Sequence, residues 1–113
     1  MNGKAPATIR KASEIGAVRR KGRRYEEGRV VVYVLPSEEW TRVGLVSSRI
    51  VGGAVARNRA RRLLREAWRG LAPRIKGTYH VVAVARSEIR GARMQDVRSD
   101  MERALSAAGL IQP

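Results

Sequence analysis

Six arginines and one asparagine crowd into thirteen residues: Arg57, Asn58, Arg59, Arg61, Arg62, Arg65 and Arg69. A guanidinium is planar, permanently charged and carries five donors, so it grips phosphate with two hydrogen bonds and stacks on bases. On a helical wheel at about 100° per residue, Asn58, Arg59, Arg61, Arg62, Arg65 and Arg69 share one arc, with Arg57 at its boundary. Ala56, Ala60, Leu63, Leu64, Ala67 and Trp68 take the opposite arc, and Val55 is the misfit. Only Glu66 balances the charge. A merely solvated helix face mixes signs at i,i+4, because like charges there cost a few tenths of a kcal/mol per pair. The chemistry these residues offer is therefore polyanion binding, with RNA or DNA as the partner.

Residues for bond-breaking chemistry are scarce by comparison. Cysteine is absent, and the single His80 cannot assemble a histidine-based metal site, so no metal ligands are expected in this chain. A protein-only nuclease would need clustered carboxylates. Asp96 and Asp100 share a helix face, but Arg93 and Arg103 are placed to neutralise them, which predicts a surface ion-pair network. Gly52-Gly53 lacks the Lys and hydroxyl of a phosphate-binding loop, although amides at a helix start attract phosphate. No catalytic residue is assigned.

The whole chain fits a basic folded protein. It has 113 residues, Lys+Arg 24 against Asp+Glu 10, a net charge of +14, and 43% hydrophobic residues. That apolar share is enough for a core, so the chain is read as one domain over 1–113 and not as a basic disordered tail. The amino terminus meets Lys4, Arg10 and Lys11 with no apolar stretch between them, so neither signal peptide nor membrane span is expected and the cytoplasm is the default location. Attachment to anionic lipid would need bulky apolar residues opposite a basic helix face, and nucleic acid accounts for the charge better.

These side chains must be held by a scaffold, and its elements are readable in outline. Residues 1–8 form a loose arm. Ser13 caps a short helix with Ile15 and Val18 on one side, ended by a left-handed Gly22 and surrounded by Arg19, Arg20, Lys21, Arg23 and Arg24. The Val-rich run 29–35 with Tyr33 predicts a buried strand, and 40–47 a second one, joined most simply as a hairpin through Pro36 to Glu39. A long helix spans 54–69 and ends at Gly70 and Pro73. Residues 78–85 predict a further strand, and Met94, Val97, Met101, Ala104 and Leu105 a final helix stopped by Gly109. Trp40 and Trp68 are expected in core or turn packing. The expected class is α+β, a two-layer α/β sandwich.

The residues also carry a resemblance. Arg42-Val43-Gly44, followed by the string from Val51-Gly52-Gly53 through Arg57-Asn58-Arg59 to Leu63-Leu64-Arg65-Glu66, resembles the signature of the bacterial ribonuclease P protein family. Similarity extends outward through Ile15, Val18, Gly22 and the Tyr33 strand, and through residues 81–86 to the last helix. The resemblance implies an endoribonuclease whose RNA subunit binds the catalytic magnesium ions and removes the 5′ leader of precursor tRNA. The protein assists without holding the catalytic centre, and needs no protein partner. It also implies a left-handed βαβ crossover through the Arg-Asn helix.

Carried over by position, Arg57, Asn58, Arg61, Arg62 and Arg65 face the RNA subunit, with Arg59 and Arg69 on the same surface, while Ile15, Arg19 and Tyr33 hold the leader. Family members commonly have aromatic residues where this chain has Ile15 and Arg19, and it contains no Phe. Leader stacking then rests largely on Tyr33, which serves equally well as a packing residue, or on the Arg19 guanidinium as a flat substitute. Ser48-Arg49-Ile50 stands where a lysine pair is usual, removing one basic contact. A ribosomal or general structured-RNA-binding protein remains the alternative that composition alone permits.

Overall fold

The computed structural model describes residues 7–112. Five strands form one mixed sheet: β1 (Ala7–Thr8), β2 (Arg23–Glu27), β3 (Val30–Pro36), β4 (Arg42–Val46) and β5 (Tyr79–Ala85). Their order across the sheet is β1-β4-β5-β3-β2. Three helices accompany it: α1 (Ala12–Lys21), α2 (Ala54–Leu71) and α3 (Met94–Ala107). The α+β class is as expected. None of the helices is long and apolar enough to cross a membrane.

The central strands β3 and β5 are apolar along nearly their whole length because both faces of the sheet are covered. Val30, Val32, Val34, Val81, Ala83 and Ala85 point into the main core under α2 and α3. Tyr33, Leu35, Val82 and Val84 point the other way, into a smaller cluster with Ile9, Ile15 and Val18. That second cluster lies beneath α1, which crosses β3 and β5.

The expected hairpin between 29–35 and 40–47 does not form. β5 lies between β3 and β4, antiparallel to the first and parallel to the second. A parallel neighbour requires a crossover, and α2 supplies it. The hairpin partner of β3 is instead β2, in a stretch the sequence offered only as a basic run beside α1. Its two-residue connection places Gly28 at φ +52, a left-handed conformation that a Cβ would strain. Ala7 and Thr8, expected at the end of a loose arm, pair with Arg42 and Val43, while residues 1–6 of that arm lie outside the described residues.

Helix ends also differ from expectation. Lys11, not Ser13, precedes α1, and Ser13 is inside the helix. Gly22 is extended (φ −80, ψ 167), and its glycine character serves close approach: a Cβ there would sit 2.7 Å from the Val18 oxygen and 2.8 Å from that of Val34. α2 continues through Gly70 to Leu71, which is fully buried, and Pro73 falls in a following 3-10 turn, Ala72–Arg74. The gain from burying Leu71 outweighs the cost of about 1 kcal/mol for one helical glycine.

Candidate nucleic-acid interface

The wheel of α2 is realised in the structure. Ala60, Leu64, Ala67 and Trp68 are buried, Ala56 and Leu63 are half-buried, and Val55 is 84% exposed. Sheet packing of the apolar arc turns Asn58, Arg59, Arg62, Arg65 and Arg69 outward, with Arg57 and Arg61 half-buried. Their partners divide them. Arg57 donates to the Gly52 carbonyl at 3.1 Å and Arg59 to the Ala92 carbonyl at 2.7 Å, tying α2 to its own entry turn and to the loop before α3. Arg61 donates to the Asn58 side chain, and Arg69 pairs with Glu66 at 3.2 Å. Arg62 and Arg65 have no protein acceptor among the described residues, so their forks are free for an anion.

A second basic site lies on the opposite face of the sheet. The Arg19 guanidinium sits 5.3 Å from the centroid of the Tyr33 ring, within cation–π range. Tyr33 also packs against the Ile9, Val18 and Val82 cluster. Across the β2–β3 ladder, Arg24 faces Tyr33, and its guanidinium is held above its ordinary range by the Tyr33 hydroxyl first and by Glu26 second. Packing and stacking therefore operate together at Tyr33: the ring is a wall of the small core and a support for a charge.

Ile15, one helical turn before Arg19 on α1, packs in the same small cluster as Tyr33. It lines a groove of about 1060 Å³ that follows the outer edge of β4 and reaches α2. The groove joins Ile9, Arg10 and Ile15 on one wall to Arg61, Arg65 and Arg69 on the other, above Val43 and Leu45. The sequence separated Ile15 from these arginines, and the fold brings them together. Arg10, Thr8 and Thr41 also line it and were not legible as site residues, because nothing in their local pattern signals that β1 adds to the edge of β4. Trp68 forms part of the wall and is buried, as expected of a packing residue, whereas Trp40 lies on a turn and is 67% exposed.

The acidic residues of α3 take another role than expected. Asp100 is 1% exposed and not part of a surface network. Its carboxylate accepts from the Arg29 backbone N–H at 2.9 Å, from the Arg29 guanidinium at 2.8 Å, and from Arg103. It therefore clamps the β2–β3 turn to α3, and a Cβ on Gly28 would collide with it at 2.6 Å. Asp96 has no ion-pair partner among the described residues, and no group of three or more His, Cys, Asp or Glu there could hold a metal.

Comparison with known proteins identifies the family. The model of the family described as Ribonuclease P matches residues 4–109. The chain belongs to the ribonuclease P protein family. Among its relatives, the ribonuclease P protein component of Shouchella clausii is 36% identical over 107 residues, covering 93% of this chain and 88% of that protein. That of Symbiobacterium thermophilum is 39% identical over 94 residues, covering 81% and 82%. The Staphylococcus aureus RNase P protein shares the fold with a TM-score of 0.83 at 23% identity, over 96% of this chain and all of that one. The Thermotoga maritima RNase P protein follows at 0.77 and 21%, over 88% and 96%. Members of the ribonuclease P protein family are the protein component of a ribonucleoprotein endoribonuclease of tRNA processing, and an RNA partner comes with that membership.

Proposed function

We propose that this chain binds the RNA subunit of ribonuclease P through the outward face of α2 and the 5′ leader of precursor tRNA across Ile15, Arg19 and Tyr33, and so assists removal of the leader in the cytoplasm. The observation that carries it is the charge imbalance of α2: eight polar residues, six of them arginine, face outward or line its margin, and Glu66 is the lone acid among them. Arg62 and Arg65 contact phosphate directly. Arg57 and Arg59 each use one of five donors on a carbonyl and offer the rest to RNA. Asn58, oriented by its bond with Arg61, supplies a polar contact.

The hydrolytic chemistry belongs to the RNA partner, which holds the magnesium ions. Among the described residues no cluster of carboxylates stands ready for magnesium, and Asp100 is committed to Arg29 and Arg103, and Glu66 to Arg69. The protein contributes binding and orientation. Cleavage of precursor tRNA by a bacterial ribonuclease P RNA, with and without this protein at low magnesium, is the direct test. Stimulated release of the leader is the expected result. A protein that binds RNA generally but leaves leader cleavage unchanged would be a structured-RNA-binding protein of another kind.

A further inference from the structure

β2 is an open edge of the sheet: β3 pairs with one side of it, and no described strand pairs with the other. The direction of its backbone groups follows from the neighbouring ladder. The Arg86 amide donates to the Arg29 carbonyl at 2.9 Å, so by alternation Val31, Tyr33 and Leu35 bond β5 while Val30, Val32 and Val34 bond β2. Those three valines face Glu27, Tyr25 and Arg23, which leaves the backbone N–H and C=O of Arg24 and Glu26 pointing away from the sheet. They have no partner among the described residues.

Charged side chains ordinarily protect such an edge from pairing. Here their order favours it. β2 reads Arg23-Arg24-Tyr25-Glu26-Glu27, so reversing the strand about Tyr25 exchanges every base for an acid. A second copy laid antiparallel, with a two-fold axis at Tyr25, sets Arg23 against Glu27 and Arg24 against Glu26 on both sides of the axis. A parallel copy in register sets like charge on like, and moving the axis by one residue sets Arg24 or Glu26 against itself. The backbone selects the same register as the charges. Arg24 and Glu26, which carry the outward groups, face each other across the axis and make four N–H···O=C bonds, with Tyr25 opposite Tyr25 in the closer, non-bonded pair. Tyr25 is half-buried against the main core. The ring of the second copy covers what that core leaves open.

We propose that β2 is the contact between two copies of this chain, joined antiparallel about Tyr25 so that one sheet continues through both. Within a single chain Arg24 holds Glu26 at 2.9 Å, Arg86 holds Glu26 at 3.3 Å and Arg103 holds Glu27 at 3.4 Å. These pairs are solvent-exposed and contribute little, so sharing the acids with a second copy costs little. The net charge of +14 opposes association, but it acts over long distances, and the screening length at physiological salt is about 8 Å. Facing side chains across a strand pair lie only about 5 Å apart and are screened less. α2 packs on β4 and β5, toward the other edge of the sheet. A paired molecule therefore presents both arginine faces on one body.

The test is sedimentation equilibrium of the full chain at physiological salt over a range of concentrations, with four samples: the unaltered protein, Arg24→Glu, Glu26→Arg, and an equimolar mixture of the two variants. Both positions are exposed, and thermal melting reports that each variant is folded. The unaltered chain is expected to show a monomer–dimer equilibrium, and each variant alone to weaken it by about tenfold or more. Mixing the variants should restore a dimer of one copy of each, because the acids of one then face the bases of the other at both positions. An unaltered chain that stays monomeric at its highest soluble concentration overturns the proposal. A dimer that survives both single variants places the contact elsewhere on the molecule, and a mixture that associates no better than its components overturns the antiparallel register.

Discussion

α2 and α3 pack side by side on the same face of the sheet and both are amphipathic, but α2 carries six arginines and one acid where α3 carries two arginines and three acids, and they use their charges in opposite ways. On α3, Asp100 is buried and holds Arg29 and Arg103, and Glu102 pairs with Arg74 at 3.0 Å. These charges are consumed inside the molecule. On α2 only Glu66 is available and Arg69 takes it, so the other arginines reach a carbonyl, bond the neutral Asn58 or face outward without a partner among the described residues. Arginine is thus structural where a carboxylate is folded against it and a recruiting group where none is. A count of basic residues does not separate the two uses, since Arg29 and Arg65 contribute equally to a net charge of +14.

The contrast is sharpest at Asp100. Replacing it with Ala removes three hydrogen bonds, two of them from guanidinium groups, from a buried site, so unfolding in urea is expected to cost on the order of 3 kcal/mol less. Asp100→Asn, which keeps the shape and one acceptor, should recover part of that. An Asp100→Ala protein as stable as the parent would mean that α3 does not clamp the β2–β3 turn. Because Asp100 is structural, the test for protein-only nuclease activity is Asp96→Asn alone, with unchanged leader cleavage by the holoenzyme expected.

Arg62→Ala with Arg65→Ala should show the reverse pattern. Stability should stay within about 0.5 kcal/mol of the parent, while the logarithmic salt slope of RNA-subunit binding flattens by up to about 0.7–0.9 per lost phosphate contact. Titrations at several salt concentrations measure this, and an unchanged slope would assign the two arginines to solvent.

A smaller and more selective effect is expected at Arg19 and Tyr33. The Tyr33 ring has Arg19 over it and the small core against it, so a leader base bound as proposed would rest on the outer side of the guanidinium. Arg19→Ala should then weaken binding of leader-bearing precursor by roughly 1–3 kcal/mol, with mature tRNA unaffected. Arg19→Lys keeps the charge but not the flat surface and should recover little. If binding tightens on Arg19→Ala instead, the uncovered tyrosine ring is the platform.

The least effect concerns Glu14, whose carboxyl is held below its ordinary value of 4.5 chiefly by its hydrogen bond with Arg42. A carboxylate with a lowered folded pKa stabilises the fold fully above that ordinary value and loses its contribution as pH falls through the lowered one. Glu14→Gln should therefore lower the melting temperature slightly at neutral pH, where the contribution is fully present, and the difference from the parent should vanish as pH falls well below 4.5.

The outward arginine face of α2 was legible in the sequence because a helix converts spacing directly into direction: with residues about 100° apart, Asn58, Arg62, Arg65 and Arg69 separate from Ala60, Leu64 and Ala67 whatever the helix packs against. The apolar runs of β3 and β5 were legible for a similar local reason, since strands covered on both faces need apolar residues at every position. Strand partners carry no such local code. β5 displaced β4 from β3, and β2 emerged from a run of charges, because pairing depends on which distant strand brings its apolar face to the same core. The same reason hid the groove, which exists only where β1, α1 and α2 meet at the edge of β4. It also hid the role of Asp100, whose partner Arg29 lies seventy-one residues away in the chain. An arginine face, and apolar strands to carry it, follow from the local order of residues alone. Which of those arginines stay free follows only from the packing of distant elements, because an ion pair is made by proximity and nothing local sets it.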